Sequence, residues 1–242
     1  YIVNHPQIPR IHGYSKIKRG GRELGRLYAI FSYVRSEAID DQIEDADVNR
    51  YVSIMSLEEV AEFGASVSKP IAHIHNRRLI HSDISAVNTL WNGKKAHITD
   101  LGESVQMNDQ GEAEVTGYST QYGAPEAMII GHITSASDVY STGVLMLHLL
   151  SNRKDWPVPH ERVQAARESS DKFYLHDEVA SLTAHQRYNR FRFVTSGHKL
   201  AKPSELERDP VTSDLLQAMV EFDPSNRPTM NEVGKELERI VN

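Results

Sequence analysis

The sequence predicts an α+β fold in which a small β-rich start is followed by a mainly α-helical body. Residues 1–34 combine strand and turn signals and include a compact apolar run at residues 27–31. Farther along the chain, two capping boxes and one long apolar stretch indicate helices. A chain of 242 residues is long enough to form two unequal lobes that share a cleft.

Two segments carry the capping-box signature, in which an N-cap residue and the glutamate three positions later bond each other's free amides. Ser56 and Glu59 open a segment whose apolar residues recur at helical spacing up to residue 74. Thr229 and Glu232 open the last helix of the chain. Pro70 lies inside the first of these helices, and because proline has no amide hydrogen we expect a kink there.

Two more helices are predicted between these capping boxes. Residues 139–150 are apolar on nearly every side, which predicts a buried central helix. Thr212 or Ser213 is expected to cap a helix that runs to residue 220. The intervening stretch at residues 151–210 is polar and carries no clear pattern.

A β-hairpin is predicted from two short strand signals, at residues 89–91 and 96–99. Asn92 and Gly93 separate them and predict a two-residue turn. A polar cluster precedes the first strand and another follows the second, so the hairpin brings both clusters to one side. Asp83 and Asn88 lie in the first cluster and Asp100 in the second.

The oxygen atoms of these three side chains are hard ligands that suit Mg²⁺. Two carboxylates in different surroundings can also divide their roles, because one can hold a metal ion while the other accepts a proton from an attacking hydroxyl. Phosphoryl transfer requires little more from a protein than positioning and neutralisation of charge.

Composition excludes several other classes of function. The net charge of −6 gives no electrostatic case for binding nucleic acid or an anionic membrane. The chain has no cysteine, which excludes disulfides, thiolate catalysis and cysteine-bound metals. No apolar run approaches the ~18 residues of a membrane span, and the first ten residues resemble no targeting peptide.

The polar residues of the hairpin belong to an ordered set of motifs that resembles the eukaryotic-type protein kinase family. The set comprises His81-Ser82-Asp83 with Asn88 (H-R-D-x-x-x-x-N), Asp100-Leu101-Gly102 (D-F-G), Ala124-Pro125-Glu126 (A-P-E), Asp138-Val139-Tyr140-Ser141 with Gly143 (D-V-W-S-x-G) and Asp223-Pro224 with Arg227-Pro228 (D-P-x-x-R-P). Each motif alone is weak, but their order and spacing together are specific, and they cover residues 80–242 closely.

The resemblance implies a protein-kinase-like fold and assigns roles to the polar residues. Asp83 and Asn88 would be catalytic, with Asp83 as the base that accepts the proton of the attacking hydroxyl. ATP and Mg²⁺ would be required, with Asn88 and Asp100 as the metal ligands and Asp100 also contacting the nucleotide.

His5-Pro6-Gln7-Ile8 resembles the H-P-x-I segment that follows the αC helix of the family. The same alignment implies an adenine site in which Phe31 is the gatekeeper, backbone groups of Ser32 and Val34 bond the base, and Leu90 lies under its ring. It further implies a Glu126–Arg227 ion pair, a bond from Asp138 to the catalytic-loop backbone, and a regulatory spine of stacked side chains that contains Ile11, His81 and Leu101.

The resemblance divides the chain into residues 1–34, a partial N-lobe with two strands and the hinge, and residues 35–242, the C-lobe with an activation segment at 100–126. The glycine-rich loop, the strand lysine and the αC glutamate of the family have no counterpart, so we expect a fragment or a processed product. Ser82 and Ser85 stand where the family usually has cations. Without the first cation, we expect no need for phosphorylation of the activation segment.

The leading hypothesis is therefore a protein kinase domain, acting on a protein substrate and directed at serine or threonine. One alternative is a pseudokinase or truncated domain that acts as a regulator or scaffold. A small-molecule kinase is disfavoured, because that group lacks the A-P-E and D-P-x-x-R-P motifs. We expect no nucleic-acid or membrane partner, and a cytoplasmic location or, for a bacterial effector, delivery into a host cytoplasm.

Overall fold

The computed structural model describes residues 3–19, 22–39, 55–119, 122–129, 131–150, 209–221 and 223–242. Residues 151–208 of the predicted polar stretch at 151–210 lie outside these ranges. Nine strands form four small antiparallel sheets among the described residues. They are β1 (Ile11–Arg19), β2 (Arg22–Phe31), β3 (Glu37–Ala38), β4 (Leu79–Ile80), β5 (Thr89–Trp91), β6 (Ala96–Ile98), β7 (Val105–Gln106), β8 (Glu112–Glu114) and β9 (His132–Thr134).

Five helices are present among the described residues. They are α1 (Leu57–His75), α2 (Pro125–Ile129), α3 (Ser135–Leu150), α4 (Pro210–Met219) and α5 (Met230–Val241). Two short 3₁₀ helices, Leu101–Glu103 and Pro224–Asn226, lie between them. The predicted α+β class, with a β-rich start and a helical body, is confirmed.

Helix starts follow the predicted local chemistry in two cases and depart from it in a third. Both capping boxes form, with Ser56 at the start of α1 and Thr229 at the start of α5. Helix α4 begins earlier than predicted, because the carboxylate of Asp209 accepts hydrogen bonds from the amides of Val211 and Thr212. Thr212 is therefore inside the helix rather than at its cap.

Helix α1 continues through Pro70 to His75. Proline has no amide hydrogen, so the carbonyl of Ser66, four residues earlier, lacks its usual helical partner. The side-chain amide of Gln7 supplies the missing donor, with an Nε2–O distance of 2.8 Å. A bond from the N-terminal segment thus compensates for the proline inside the helix.

The main core lies where α1, α3, α4 and α5 pack around the β5–β6 hairpin. Phe63 is fully buried in α1 and meets Trp91 of β5 edge to face, at a centroid distance of 5.5 Å. The antiparallel sheet of β3, β5 and β6 contributes Trp91, Ala96 and Ile98 to this core. None of the helices in the described ranges is long and apolar enough to cross a membrane.

The predicted hairpin is present, but its turn is longer than two residues. Residues 92–95 connect β5 to β6, with Gly93 at a φ of 82°. The side-chain oxygen of Asn92 accepts hydrogen bonds from the amides of Lys94 and Lys95, and these bonds close the turn. Leu90 is opposite His97 in the pairing, so both occupy the face of the hairpin that points away from the core.

Candidate active site

A buried carboxylate holds the backbone of the loop that carries Asp83. Asp138, in the first turn of α3, accepts hydrogen bonds from the backbone amides of His81 (2.8 Å) and Ser82 (2.9 Å). These two bonds confirm the predicted contact. Ser82 has a φ of 73°, a left-handed conformation that non-glycine residues adopt only when their surroundings hold them there.

Asp138 has a third partner that the motifs did not indicate. The Nε2 atom of His75, at the end of α1, lies 2.7 Å from one of its oxygens. Burial alone would raise the pKa of the Asp138 carboxyl, but the hydrogen bond and the charge interaction with His75, together with the backbone amide of His81, keep that pKa below its ordinary value. The carboxylate therefore stays charged and links α1, α3 and the catalytic loop.

Asp83 and Asn88 contact each other directly. The Nδ2 atom of Asn88 donates to Oδ2 of Asp83 at 2.7 Å and to the carbonyl of Asp83 at 2.9 Å. The other carboxylate oxygen of Asp83 is buried and has no hydrogen-bond partner among the described residues. The Asp83 carboxylate is thus held through one oxygen only.

His81 connects this loop to the strand that precedes Asp100. Its Nδ1 atom lies 3.3 Å from the amide of Asp83 and its Nε2 atom lies 3.0 Å from the carbonyl of Thr99. Since an amide can only donate and a carbonyl can only accept, the buried ring carries its proton on Nε2. One neutral tautomer therefore satisfies both bonds.

Asp100 follows β6 at the exposed edge of the same site. The amide of Thr99 donates to the carbonyl of Asn88 at 2.9 Å, which brings the end of β6 against the start of β5. Asp100 has a φ of 55°, and its carboxylate accepts a hydrogen bond from the amide of Gly102. The hairpin thus brings the predicted site residues Asp83, Asn88 and Asp100 to one end of the fold.

The side chains at this end fit a divalent metal ion. The amide nitrogen of Asn88 bonds to Asp83, so the amide oxygen is left with no donor among the described residues. The exposed Asp100 carboxylate is the second oxygen ligand that the chain offers there. An amide oxygen and a carboxylate are the usual ligands of Mg²⁺, which also retains several waters.

The residues predicted to contact adenine lie where β2 ends. Phe31 is the last residue of β2 and its side chain is 51% exposed. The amide of Ser32 donates to the carbonyl of Arg10, and the carbonyl of Val34 accepts from the amide of Ser36. The carbonyl of Ser32 and the amide of Val34 have no partner among the described residues. Leu90 is half-buried on the outward face of the hairpin.

The predicted stack of Ile11, His81 and Leu101 is wrong at its first member. Ile11 is opposite Phe31 in the β1–β2 sheet and is 53% exposed, because no described element packs over this end of the sheet. Ile8 is buried instead, and it forms a cluster with Ile74 and Leu79 on which Leu101 packs.

The activation segment is tied to the rest of the domain at two points. The Ser82 hydroxyl donates to the carbonyl of Gly117 at 2.7 Å. Glu126 of α2 forms two bonds with Arg227, at 2.7 and 2.9 Å, and both residues are buried. The predicted Glu126–Arg227 pair is thereby confirmed, and it fixes the C-terminal end of the segment.

A family model for the protein kinase domain matches residues 2–236. The chain belongs to the protein kinase domain family. Members of this family use ATP and a divalent metal ion, and the predicted family and fold are confirmed. The kinase motifs found in the sequence are the residues that form the site described above.

Curated relatives extend the match along nearly the whole chain. A receptor-like cytoplasmic serine/threonine-protein kinase of Nicotiana benthamiana, described as EPD1-interacting, is 27% identical over 98% of this chain and 48% of its own length. The probable serine/threonine-protein kinase PBL11 of Arabidopsis thaliana is 31% identical over 98% of this chain and 58% of its own length. The chain therefore spans about half the length of these two kinases.

Sequence reasoning missed two residues of the kinase site. No role was predicted for His75, the last residue of α1. Its bond to Asp138 joins residues 63 positions apart. Ser104 donates to the carbonyl of His81 at 3.3 Å and was not singled out. Neither residue belongs to a motif, so the sequence carries no local signal for them.

Proposed function

We propose that this domain transfers the γ-phosphoryl group of ATP to a serine or threonine hydroxyl of a protein. The observation that supports this most directly is the Asp83 carboxylate, held through one oxygen by Asn88 while its other oxygen is buried without a partner. A substrate hydroxyl is the donor that would satisfy this oxygen. The names of the curated relatives support serine or threonine as the acceptor.

In the proposed reaction, the acceptor oxygen forms a bond to the γ-phosphorus while the bond from that phosphorus to the β–γ bridging oxygen breaks. Asp83 orients the hydroxyl and accepts its proton, and ADP leaves with the bridging oxygen. Asp138 takes no part in the transfer of atoms. It holds the amides of His81 and Ser82, so that the Asp83 carboxylate stays at a fixed place relative to β5 and β6.

Asn88 and Asp100 would hold a magnesium ion, which, when bound, neutralises charge on the phosphates. The adenine ring would lie between Phe31 and Leu90, with the carbonyl of Ser32 and the amide of Val34 as its backbone partners. The absence of other partners for these two backbone groups among the described residues supports this part of the proposal.

We further propose the two-part division at residue 34, with residues 1–34 as a partial N-lobe and 35–242 as the C-lobe. A protein substrate, rather than nucleic acid, agrees with the net charge of −6. The Nicotiana benthamiana relative is named as a cytoplasmic kinase, which supports a cytoplasmic location for this domain as well.

A regulatory or scaffolding role is the second candidate, and Ser85 is the observation that favours it. The kinase family usually has a cation near this position, but Ser85 is buried and its hydroxyl lies 3.4 Å from the amide of Asn88. No positive charge in the catalytic loop would then contact the γ-phosphate. Under this alternative the domain binds ATP without transferring phosphate.

The test is phosphate transfer from labelled ATP to a serine- and threonine-containing protein, measured on this chain. We expect Asp83→Asn to lower the rate by at least about a hundredfold, because a general base contributes roughly 10²–10⁴ to such a step. Asp100→Ala should weaken magnesium-dependent ATP binding. The matched control is Asp109→Asn, which removes an exposed carboxylate in the turn before β8. Equal rates for Asp83→Asn and the control would contradict the proposed base.

A further inference from the structure

A second concave site lies against the hinge, away from Asp83, Asn88 and Asp100. It is a cleft of about 440 Å³ between residues 4–10, residues 32–35 and the β5–β6 hairpin, and is called the rear cleft below. Its volume falls within the roughly 300–1,000 Å³ of small-molecule sites. Neither Leu90 nor Asp100 lines it, although it shares Ser32 and Val34 of the hinge with the proposed adenine site.

The rear cleft is lined by basic side chains in a chain whose net charge is negative. Arg10 and Arg35 contribute guanidinium groups and His5 and His97 contribute imidazoles, while no carboxylate is among the described residues that line it. Neither arginine side chain has a hydrogen-bond or ion-pair partner in the described part of the chain. Cations that converge without internal partners create a positive potential, which attracts anions.

The imidazoles of the rear cleft supply hydrogen-bond donors. The Nδ1 atom of His5 accepts from the amide of Gln7 at 3.2 Å, so the proton of its neutral ring lies on Nε2. The Nδ1 atom of His97 is buried and has no partner among the described residues. A buried polar atom without a partner is costly, and a ligand that satisfied it would remove this cost.

The lining is fixed by backbone hydrogen bonds. Ile98 donates its amide to the carbonyl of Gln7 at 2.9 Å, which joins the N-terminal loop to β6. The carbonyl of Arg10 accepts from the amide of Ser32 at 2.8 Å, which joins that loop to the hinge. The three walls of the rear cleft are therefore connected directly, so its shape is set before any ligand arrives.

Burial, followed by the charges of neighbouring cations, lowers the pKa of both cleft histidines. For His97 the neighbour is Lys95, and for His5 the neighbours include His73 and Lys95. Both lowered pKa values favour neutral imidazoles, each of which has one N–H group to donate.

We propose that the rear cleft binds a phosphate monoester. The guanidinium groups of Arg10 and Arg35 bond its oxygens, because their planar donors match phosphate better than any other cation in proteins. His5 donates from Nε2, and the Nδ1 atom of His97, which has no partner among the described residues, supplies a second imidazole contact. A phosphate monoester supplies about two negative charges and three acceptor oxygens, enough for four converging basic groups. This ligand site does not depend on phosphate transfer at Asp83.

The experiment measures binding of a labelled peptide with a single phosphoserine to the chain in metal-free buffer. Arg10→Gln with Arg35→Gln should weaken binding by at least about tenfold. The control, Lys235→Gln with Arg239→Gln, removes two charges from α5, which does not line the rear cleft, and should change binding by less than about twofold. The imidazole NMR signals of His5 and His97 should shift as the peptide is added.

Three further arms test whether the phosphate group itself is bound and exclude the competing explanations. Competition by inorganic phosphate that disappears in the arginine double variant supports a site for the phosphate group itself, from a protein or a small molecule. Equal affinity for the same peptide with serine or glutamate in place of phosphoserine would overturn the proposal. It would also be overturned if the arginine double variant and the α5 control variant both bound the phosphopeptide like the original chain, or if neither bound it detectably. Asp83→Asn should bind like the original chain, so failure of catalysis would leave this result unaffected.

Discussion

At the scale of single residues, the site depends on side chains that hold the backbone of the catalytic loop. Ser82 combines three features at one position. Its amide bonds to Asp138, its φ is positive and its hydroxyl bonds to the activation segment at Gly117. In the kinase family the usual residue here is an arginine that binds a phosphorylated activation segment. A neutral hydroxyl–carbonyl bond replaces that contact, which is consistent with an expected independence from phosphorylation.

Two substitutions at Ser82 separate the hydroxyl from the backbone strain. Ser82→Ala removes the bond to Gly117 and retains the strained φ, so we expect a loss of about 1 kcal/mol in the free energy of unfolding. Ser82→Gly also removes the bond but relieves the left-handed conformation, so its loss should be smaller. Both variants should increase amide hydrogen exchange across residues 116–119. Unchanged exchange in both would show that this bond does not restrain the segment.

Asp138 makes a pH-dependent contribution to stability. Its pKa is lowered in the folded state, so the stabilisation is complete above the ordinary value of about 3.8 and is lost as the pH falls through the folded value. We expect Asp138→Asn to lower the free energy of unfolding at pH 7 by about 3–5 kcal/mol, because it leaves His75 and two amides without their anion. Urea unfolding at several pH values measures this. This prediction would be contradicted if the difference in the free energy of unfolding between Asp138→Asn and the original chain stayed constant down to pH 3.

At the scale of elements, the signals that predicted structure correctly are local ones. A capping box involves residues three apart, and the sequence therefore predicts the starts of α1 and α5. The residues at the open end of a hairpin come together for any length of turn. Asp83, Asn88 and Asp100 could therefore be placed in one site although the turn at Asn92 was predicted too short.

The signals that failed depend on distant parts of the chain. Gln7 bonds the carbonyl left free by Pro70 across 59 positions, and no periodicity predicts that bond. Ile8 rather than Ile11 joins the Leu101 cluster because of how the N-terminal loop lies against α1. The rear cleft likewise forms from three separated segments, and His5 and His97 belong to none of the catalytic motifs.

Two glycines show how closely the helices pack, and they make a matched pair for a test. A Cβ atom on Gly143 of α3 would lie 2.9 Å from the Cβ atom of Met219 and 2.8 Å from a methyl group of Val220. A Cβ atom on Gly64 of α1 would meet the terminal methyl of Met146 at 2.4 Å and a methyl of Leu237 at 2.7 Å. The Met219 atom is attached to the backbone, whereas the Gly64 neighbours are ends of flexible side chains.

We therefore expect Gly143→Ala to lower the free energy of unfolding by about 1–3 kcal/mol, since α3 and α4 must move apart. Gly64→Ala should lower it less, because the thioether chain of Met146 can change rotamer. Both substitutions gain the same helix propensity, so the comparison isolates packing. Thermal unfolding of the two variants measures the difference, and a larger loss for Gly64→Ala would refute this account.

At the scale of the whole molecule, one buried ion pair connects parts of the chain 101 residues apart. Arg227 bonds Glu126 through two nitrogens, donates to the carbonyls of Ala136 and Glu221, and stacks 4.8 Å above the ring of Tyr140. Burial, partly offset by the charge of this arginine, raises the pKa of Tyr140 to about 12. The C-terminal end of the activation segment, α3 and the loop before α5 are thereby held together.

Removal of either partner should leave a buried charge. We expect Arg227→Met and Glu126→Leu each to lower the free energy of unfolding by about 3–5 kcal/mol, with the larger loss for Arg227→Met because Arg227 also bonds two carbonyls. The double variant leaves no uncompensated charge, so its loss should be well below the sum of the single losses. Urea unfolding of the four proteins forms a double-mutant cycle. Additive losses would mean that the two side chains stabilise the domain independently, through their other contacts. The ion pair itself would then not join the activation segment to the C-terminal helices.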